Sequence, residues 1–344
     1  MKKIIAILLA LALLLSFSAC AKNEEEKEPD LSSESQSENS ESLSDASDEP
    51  EFNGAEVKIG VLKGPTGMGA AWLMDQNDGG LTLNSYDFTI AGAPDELTGR
   101  LIQGDLNIAA LPTNAISTLY NKTEGEIVTL GVNALGVLYI LERGDSIETV
   151  ADLEGKSVLA SGQGSTAEYV LNYILDKNGV STEIYWASEH SEAATLALSG
   201  DYDVVMLPEP FVTNVTKNDG DFRVALNLSE EWENLGGGVL TMGGIAVRKD
   251  FLDENPEAVA EFVKDYAESV KFTNENPAEA AALIEKYEIA PAAVAEAAIP
   301  RCNIVWLHGE DYAETLKNFL EIVYEANAAG VGGKLPGDDF YANY

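Results

Sequence analysis

The pattern of apolar and polar positions between residues 157 and 175 predicts a strand, a tight turn and a helix in succession. The apolar run 157–160 is typical of a buried strand, and the glycines of segment 161–164 allow a tight turn. Apolar residues then recur at helical spacing over 170–175. A helix that begins here presents free backbone N–H groups, which can hold a small polar or anionic group.

Polar residues at the start of this helix predict its cap and a ligand contact. Ser165 or Thr166 can cap the helix, and Glu168 lies three residues after Ser165 as a capping-box partner. Because the cap and an anion site use the same N–H groups, we expect Gln163, Ser165 and Thr166 to contact a ligand. An ordinary α/β turn has the same pattern, so a purely structural interpretation stays open.

The alternation of strand and helix patterns continues along the chain. Predicted strands lie at 56–62, 86–92, 104–111, 127–132, 136–142, 157–160, 181–186, 201–207 and 222–226, and a glycine-rich extended run lies at 236–249. A helix is predicted at Pro94–Gln103, and the chain is almost entirely helical from Asn255 onward. This alternation indicates open, mostly parallel sheets, in which ligands bind beyond the carboxyl ends of the strands.

The loops after two early strands supply further candidate contacts. Thr66 and Met68 follow the first strand, and Thr113 and Asn114 follow the third. Loop packing and helix capping are the structural alternatives for these four residues. Because each loop leaves a strand and opens a helix, we expect 63–69, 111–114 and 162–166 to face a common cleft.

Glu209 and Met242 complete the candidate ligand-binding set. Glu209 lies between two prolines at a strand end, where it could accept a hydrogen bond from a ligand or form a salt bridge at a hinge. Met242 lies beside Gly243, where a glycine would let the backbone approach a ligand. The only two histidines, His190 and His308, are expected on the surface or in the core, and no metal-ligand spacing includes them.

The start of the chain predicts export and a lipid anchor. Lys2 and Lys3 precede the apolar run 4–15, and small residues follow, which is typical of a secretory signal and too short for a spanning helix. Cys20 after Ser18 and Ala19 resembles the lipobox of bacterial lipoproteins, in which the new N-terminal cysteine carries the lipid. An ordinary secreted protein with a chance cysteine is the alternative.

Acidic residues dominate the rest of the chain. Segment 21–53 holds 12 acidic residues, two lysines and many serines, so we expect a disordered tether. The chain carries −37 in total; the signal contributes +2 and the tether −10, which leaves −29 on residues 54–344. Such a surface argues against nucleic acid and against direct binding to anionic lipid. With Cys20 lipidated, Cys302 is alone, so no disulfide framework or cysteine metal site can be drawn.

Five short motifs in order carry a resemblance to a known family. They are G-D-x-x-I-A-x-L-P at 104–112, D-L-E-G-K-x-V at 152–158, G-Q-G-S-T-x-E-Y at 162–169, D-V-V-M-L-P-E-P at 203–210 and G-I-A-V-R-K-D-F-L at 244–252. With the lipobox and the acidic tether, they resemble the solute-binding lipoproteins of ABC importers. The most similar group binds nitrate, alkylsulfonates, taurine or thiamine-pyrimidine precursors, and the resemblance covers residues 55–330.

The resemblance implies a two-lobe periplasmic-binding-protein fold of type II, each lobe a mostly parallel sheet flanked by helices. Lobe one would comprise 54–140 and 241–344, and lobe two 141–240. Crossovers near 138–143 and 239–247 would form the hinge, and the ligand would lie in the cleft between the lobes.

The resemblance also implies a function: a monomeric, outward-facing component that captures a solute and delivers it to an ABC permease and its ATPase, with no catalysis and no cofactor. One alternative is an enzyme of the same fold that makes a pyrimidine precursor, although its cysteine-rich motif is missing here. Another is a tethered sensor without a transporter. The apolar loop 64–68 favours a small neutral or singly charged organic solute over an inorganic oxyanion, while Glu209 could favour a cationic amine.

Overall fold

The computed structural model describes residues 52–344, and eleven strands within them form two separate sheets. The strands are β1 (Glu56–Leu62), β2 (Ser85–Ala91), β3 (Ile108–Pro112), β4 (Ile127–Leu135), β5 (Leu138–Arg143), β6 (Ser157–Ser161), β7 (Glu183–Ala187), β8 (Val204–Pro208), β9 (Phe222–Asn227), β10 (Thr241–Arg248) and β11 (Ile304–His308). The helices are α1 (Pro65–Asp78), α2 (Pro94–Gln103), α3 (Thr113–Lys122), α4 (Thr166–Asn178), α5 (His190–Ser199), α6 (Phe211–Asn218), α7 (Leu228–Asn234), α8 (Lys249–Glu254), α9 (Pro256–Glu275), α10 (Pro277–Lys286), α11 (Ala292–Ala298) and α12 (Asp311–Ala326). Short 3₁₀ turns lie at Val150–Leu153, Ile299–Arg301, Ala328–Val331 and Asp338–Phe340.

The two sheets divide the strands by their place in the chain. One sheet has six strands in the order β11-β4-β10-β3-β1-β2, and the other has five in the order β7-β6-β8-β5-β9. The chain therefore crosses between the sheets twice, at 136–137 and over 228–240. The expected α/β fold with two helix-flanked sheets is confirmed, and the division into two lobes with the boundaries given above stays a prediction.

Both sheets are mixed, although most strands of each run in one direction. β1 pairs in parallel with β2 and β3, and β6 with β7 and β8, whereas β10 and β5 are antiparallel to their neighbours. The reason lies in the crossings between the sheets. β5 and β10 each begin where the chain arrives from the other sheet, so they run away from the edge at which β3 and β8 end.

The strand β11 is missing from the sequence prediction, which has only helix in this part of the chain. It pairs antiparallel with β4 at the edge of the six-stranded sheet, with an irregularity between Ile304 and Leu307. Its five residues lie between a 3₁₀ turn and α12, and a strand this short cannot be distinguished by its apolar pattern alone.

Close packing of α1 fixes the loop that precedes it. Ser269 of α9 donates its hydroxyl to the carbonyl of Gly69 at 2.6 Å and accepts from Leu73 N at 3.0 Å. A methyl group added at Gly69 would lie 2.9 Å from Ile304 Cγ2, so glycine is needed for this approach. These buried contacts hold the N-terminal end of α1, and with it the end of β1, in one place.

The predictions for the N-terminal segment fall largely outside the described residues. The signal segment 1–20, Cys20 and most of the tether 21–53 are not described. Phe52, at the end of the tether, is half-buried and packs against the core. Among residues 52–344, no helix combines the length and apolar composition needed to cross a membrane.

Candidate functional site

Loops from both sheets line one cavity of about 110 Å³. From the six-stranded sheet it is lined by 62–66, 92–94, 111–112, Ala134, Met242 and Gly243, and from the five-stranded side by Gly162, 165–167, 188–190, 208–209 and Phe211, with Val137 and Leu138 at the first crossing. This space has room for several water molecules, and therefore for a compact organic molecule. Residues from all three loops expected to face a common cleft are present.

Five of the nine candidate residues line the cavity: Thr66, Ser165, Thr166, Glu209 and Met242. The Thr66 hydroxyl accepts a hydrogen bond from Leu62 N at 3.2 Å, which ties the start of α1 to the end of β1. Ser165 caps α4, and its hydroxyl accepts from Ala167 N at 3.3 Å. Ligand contact by these residues stays a prediction, with a geometry that allows it.

The other four candidates do not line the cavity. Met68 is fully buried, and its sulfur accepts from Cys302 Sγ at 3.8 Å, because its position on α1 faces the core. Gln163 is exposed at the tip of the glycine turn. Thr113 and Asn114 are buried and hydrogen-bonded behind the cavity wall.

Thr113 and Asn114 join the two sides of the cavity. Thr166 Oγ1 donates to Asn114 Oδ1 at 3.0 Å, and Asn114 Nδ2 donates to the carbonyls of Gly164 and Gly330 at 3.3 and 3.1 Å. Thr113 Oγ1 lies 3.4 Å from Thr166 Oγ1 and donates to Thr241 O at 3.0 Å. The start of α3 is thereby hydrogen-bonded to the start of α4, which follows the five-stranded sheet.

Glu209 forms a salt bridge across the two sides. Its buried carboxylate accepts from Arg301 Nε at 2.7 Å and from Thr213 N at 3.0 Å, and Arg301 also donates to Thr213 Oγ1 at 2.6 Å. Glu209 follows β8, while Arg301 precedes β11. Of the two roles left open for Glu209, the structure contains the salt bridge, and the same carboxylate also lines the cavity.

His190, expected in the core or on the surface, lines the cavity at the start of α5. Its Nδ1 lies 2.6 Å from the hydroxyl of Ser161, the last residue of β6. Burial lowers the pKa of His190 to about 4, so the imidazole is neutral at pH 7. The sequence could have identified this contact, because 188–190 follows a strand and opens a helix, as the three expected loops do. The same holds for 92–94.

Carboxylates of the chain accept from backbone N–H groups just before α2, α4 and α5 and in the first turn of α6. Glu96 accepts from the N–H groups of Gly92 and Ala93, both at 2.9 Å. Glu168 accepts from Gly164 N at 2.6 Å, Glu192 from Ser188 N at 2.8 Å and Glu209 from Thr213 N. Among residues 52–344, no group of three or more His, Cys, Asp or Glu side chains is placed to hold a metal ion.

Solved structures similar to this chain include an ABC transporter protein and sulfonate-binding proteins. An ABC transporter protein from Parabacteroides distasonis is 21% identical with a TM-score of 0.70, over 83% of this chain and 98% of that chain. The aliphatic sulphonate binding protein SsuA from Escherichia coli is 18% identical with a TM-score of 0.65, over 83% and 96%. The alkanesulfonate-binding protein SsuA from Xanthomonas axonopodis pv. citri, bound to MOPS, is 17% identical with a TM-score of 0.64, over 82% and 94%. At these identities the likeness establishes the periplasmic-binding-protein fold.

A sequence family gives a different indication of function. The family model described as menaquinone biosynthesis matches residues 80–325. No curated protein is detectably similar in sequence. The expectation that the chain has no enzymatic role is therefore wrong as it stands, because a biosynthetic family points to a possible enzyme-like role. Since the match covers well over half of the sequence, the chain belongs to the menaquinone biosynthesis family.

Proposed function

We propose that this chain captures a small organic solute in the cavity between its two sheets and delivers it to an ABC permease. The observation that carries the proposal is that strand-end loops of both sheets meet in one cavity of about 110 Å³. Ligand sites in open α/β sheets lie beyond the carboxyl ends of the strands, and pockets for organic solutes are mostly apolar with a few polar groups. The structural similarity to an ABC transporter protein and to sulfonate-binding proteins supports the same role.

Solute capture uses the contacts that join the two sides. The sheets are connected by only two crossings, so the sides can separate when the Thr166–Asn114 and Glu209–Arg301 contacts break. A solute that touches both sides adds contacts that exist only when they are together. Binding therefore shifts the population towards the closed arrangement.

In this proposal, the N-terminal segment holds the binding unit at the membrane. Cys20 carries the lipid, and residues 21–53 tether the binding unit to the outer face of the membrane, where it meets the permease. Changing Cys20→Ala should release the chain from the membrane fraction, and unchanged membrane association would refute the anchor. The fold and the site do not depend on this result.

The test of solute capture is calorimetry of the purified full-length chain against a panel of nitrate, taurine, alkylsulfonates, aminopyrimidines, thiamine and small amines. At least one member should bind, and Thr166→Val should weaken that binding about tenfold because Thr166 lines the cavity and bridges its two sides. The matched control is Thr195→Val, an exposed threonine of α5 that does not line the cavity. Equal effects of the two changes would place the solute elsewhere.

A second candidate function is catalysis on a small molecule in the same cavity. Two observations favour it: the family match, and the neutral His190 beside Ser161 in the cavity wall. Because the imidazole lines the cavity, it can hydrogen-bond a bound molecule and orient it for reaction.

Chemical analysis of the bound solute distinguishes the two functions. If mass spectrometry after incubation shows a changed molecule, and His190→Gln abolishes the change while binding persists, the chain is an enzyme. Recovery of unchanged solute, with normal menaquinone content in cells lacking the chain, would favour transport.

A further inference from the structure

Four hydroxyl groups line the cavity, and each already donates its hydrogen within the protein. They belong to Thr66, Ser165, Thr166 and Ser188. Their acceptors are, in the same order, Leu62 O at 3.4 Å, Gly162 O at 2.6 Å, Asn114 Oδ1 at 3.0 Å and Glu192 Oε2 at 2.7 Å. Because a hydroxyl has a single hydrogen, these groups can offer a solute lone pairs but no donor.

His190 is the lining side chain that can still donate without carrying a charge. In the described part of the chain, Lys63 and His190 are the only lining residues with side-chain N–H groups, and Lys63 is exposed. His190 Nε2 has no hydrogen-bond partner within residues 52–344. Backbone N–H groups at the starts of α1 and α3 have no side-chain cap, but both helices follow strands of the six-stranded sheet. On the five-stranded side, the side-chain donor for a solute is therefore His190.

The hydrogen bond between Ser161 and His190 determines which ring nitrogen carries the proton. Ser161 is fully buried, and His190 Nδ1, 2.6 Å from its hydroxyl oxygen, is the only hydrogen-bond partner of this hydroxyl among residues 52–344. A buried hydroxyl that does not donate loses a hydrogen bond that it makes to water in the unfolded chain. The hydroxyl therefore donates to Nδ1. Because burial lowers the pKa of His190 to about 4, the ring is neutral and its one proton lies on Nε2.

Neighbouring groups hold the imidazole in this orientation. Gly162 has a φ of 88°, and a methyl group added there would lie 3.5 Å from His190 Cε1, so the backbone of the glycine turn passes close to the ring. The Phe211 ring lies on another side, with its centroid 5.5 Å from that of the imidazole. The ring cannot turn without losing the bond to Ser161, so the N–H group is already oriented before a solute binds.

The wall around this donor suits an acceptor that has no charge. Most other lining residues are aliphatic, proline or glycine, with Leu111, Val137 and Met242 among them. Burying an ionised group of either sign against such a surface costs more free energy than burying a neutral polar group. A carbonyl oxygen or an aromatic ring nitrogen accepts a hydrogen bond from N–H without bringing a charge into the cavity.

We infer that the cavity takes a compact, mostly apolar solute with a carbonyl oxygen or an aromatic ring nitrogen, and that this atom accepts a hydrogen bond from Nε2–H of His190. Ser161 is a positioning residue, because it acts on the solute only through the imidazole. This inference rests on the proposed binding function and names its solute class.

Nitrogen-15 NMR of the full-length chain without a histidine tag tests the tautomer at pH 7.5 in the absence of solute. The sequence has two histidines, so His308→Gln leaves the signals of His190 alone. Nε2 should carry the proton. Ser161→Ala should produce a mixture with the Nδ1–H form, whereas Ser157→Ala, exposed on the same strand, should change nothing. A proton on Nδ1 or on both nitrogens of the unchanged chain would overturn the inference, and an unaltered tautomer in Ser161→Ala would refute the role of Ser161.

Two pairs of uncharged probes with matched shapes test the solute class. Acetophenone and α-methylstyrene differ by a carbonyl oxygen, and pyridine and benzene differ by a ring nitrogen. In calorimetry of the full-length chain at pH 7.5, at least one acceptor probe should bind about ten times more tightly than its partner, because the partner leaves the N–H group unpaired. Equal binding within both pairs, or no binding by either acceptor probe, would overturn the inference.

Variants of His190 then assign the preference to its N–H group. His190→Phe keeps a ring but has no donor, so the two members of a pair should bind equally. His190→Gln has an amide N–H and should keep part of the preference. The matched control is His308→Phe, at a position that does not line the cavity, and it should leave the preference unchanged. An undiminished preference in His190→Phe would contradict the assignment.

The same measurements distinguish failure of this inference from failure of solute capture. If the acceptor probes show no preference while a member of the wider panel binds, solute capture stands and the solute class is wrong. If neither the probes nor any member of the panel binds, the result counts against both.

Discussion

The six-stranded and five-stranded sheets face the same cavity with different kinds of side chain. The six-stranded side contributes mainly aliphatic residues, proline, glycine and alanine, with Lys63 and Thr66 as its polar side chains. The five-stranded side contributes Ser165, Thr166, Ser188, Glu189, His190 and Glu209. The comparison suggests a division of labour, in which one side shapes the cavity and the other determines which solute binds.

The largest effect should come from the shaping side. Leu111 is fully buried at the end of β3 and lines the cavity, so Leu111→Ala removes core contacts and enlarges the space. We expect a loss of about 3 kcal/mol in the free energy of unfolding, with little change in which solute of the panel binds most tightly. Urea unfolding and calorimetry against the panel measure the two quantities. A change in solute preference without loss of stability would contradict the proposed division.

The salt bridge between the two sides should have the next largest effect. Arg301→Ala leaves the Glu209 carboxylate buried, with the hydrogen bond from Thr213 N but without its cation. Because Arg301 is itself partly exposed, we expect a loss of about 2 to 3 kcal/mol, somewhat less than for a fully buried pair. Glu209→Gln in the same chain should restore part of this loss, since it removes the unpaired charge. No recovery in the double variant would mean that the guanidinium acts through packing instead.

His190 on the determining side should make the stability of the chain depend on pH. The pKa of His190 is about 4 in the folded chain and about 6.5 when unfolded, so the unfolded chain binds the extra proton between these values. Stability is therefore full above pH 6.5 and falls as the pH drops towards 4. We expect a loss of about 2 kcal/mol by pH 4.5, less than the full shift implies because the ring is partly accessible from the cavity.

The free energy of unfolding, measured at pH 7 and at pH 4.5, tests this dependence. His190→Gln should remove the loss that this histidine contributes, and His308→Gln is the matched control. His308 lies on the six-stranded side, where its Nδ1 is 2.8 Å from Tyr344 O. If both variants have the pH dependence of the unchanged chain, the buried neutral imidazole is not the cause.

The fold could be predicted from sequence where sharp local signals mark the ends of elements. β1 and α2 have the predicted bounds because glycine and proline punctuate clear apolar patterns. β11 could not be predicted in this way, since it becomes a strand only by pairing with β4. The antiparallel direction of β5 and β10 likewise depends on where the chain crosses between sheets, which is a long-range property.

The site was predictable at the level of loops and less so at the level of side chains. The rule that a ligand contacts loops which follow a strand and open a helix identifies three lining loops. The same rule, applied to every such loop, would also have identified 92–94 and 188–190. It does not tell which way a side chain points. Met68 faces the core and Asn114 faces the back of the cavity because the packing of α1 and α3 on the sheet sets their rotation. The carboxylates Glu96 and Glu192 were visible in the sequence as acidic residues in first turns, but the loop N–H groups that they accept from could be identified only in the structure.

The central claim is that the solute binds between the two sides of the cavity. Hydrogen–deuterium exchange of the full-length chain, with and without the solute that binds most tightly in calorimetry, tests this claim most directly. If the solute lies between the two sides, amides of 62–66 and of 162–167 should both be protected on binding, although they belong to different sheets. The control peptide is α9, whose residues do not line the cavity and should exchange at the same rate in both states. Protection of both loops by the same solute is the predicted result. Protection confined to the loops of one sheet would contradict binding between the two sides.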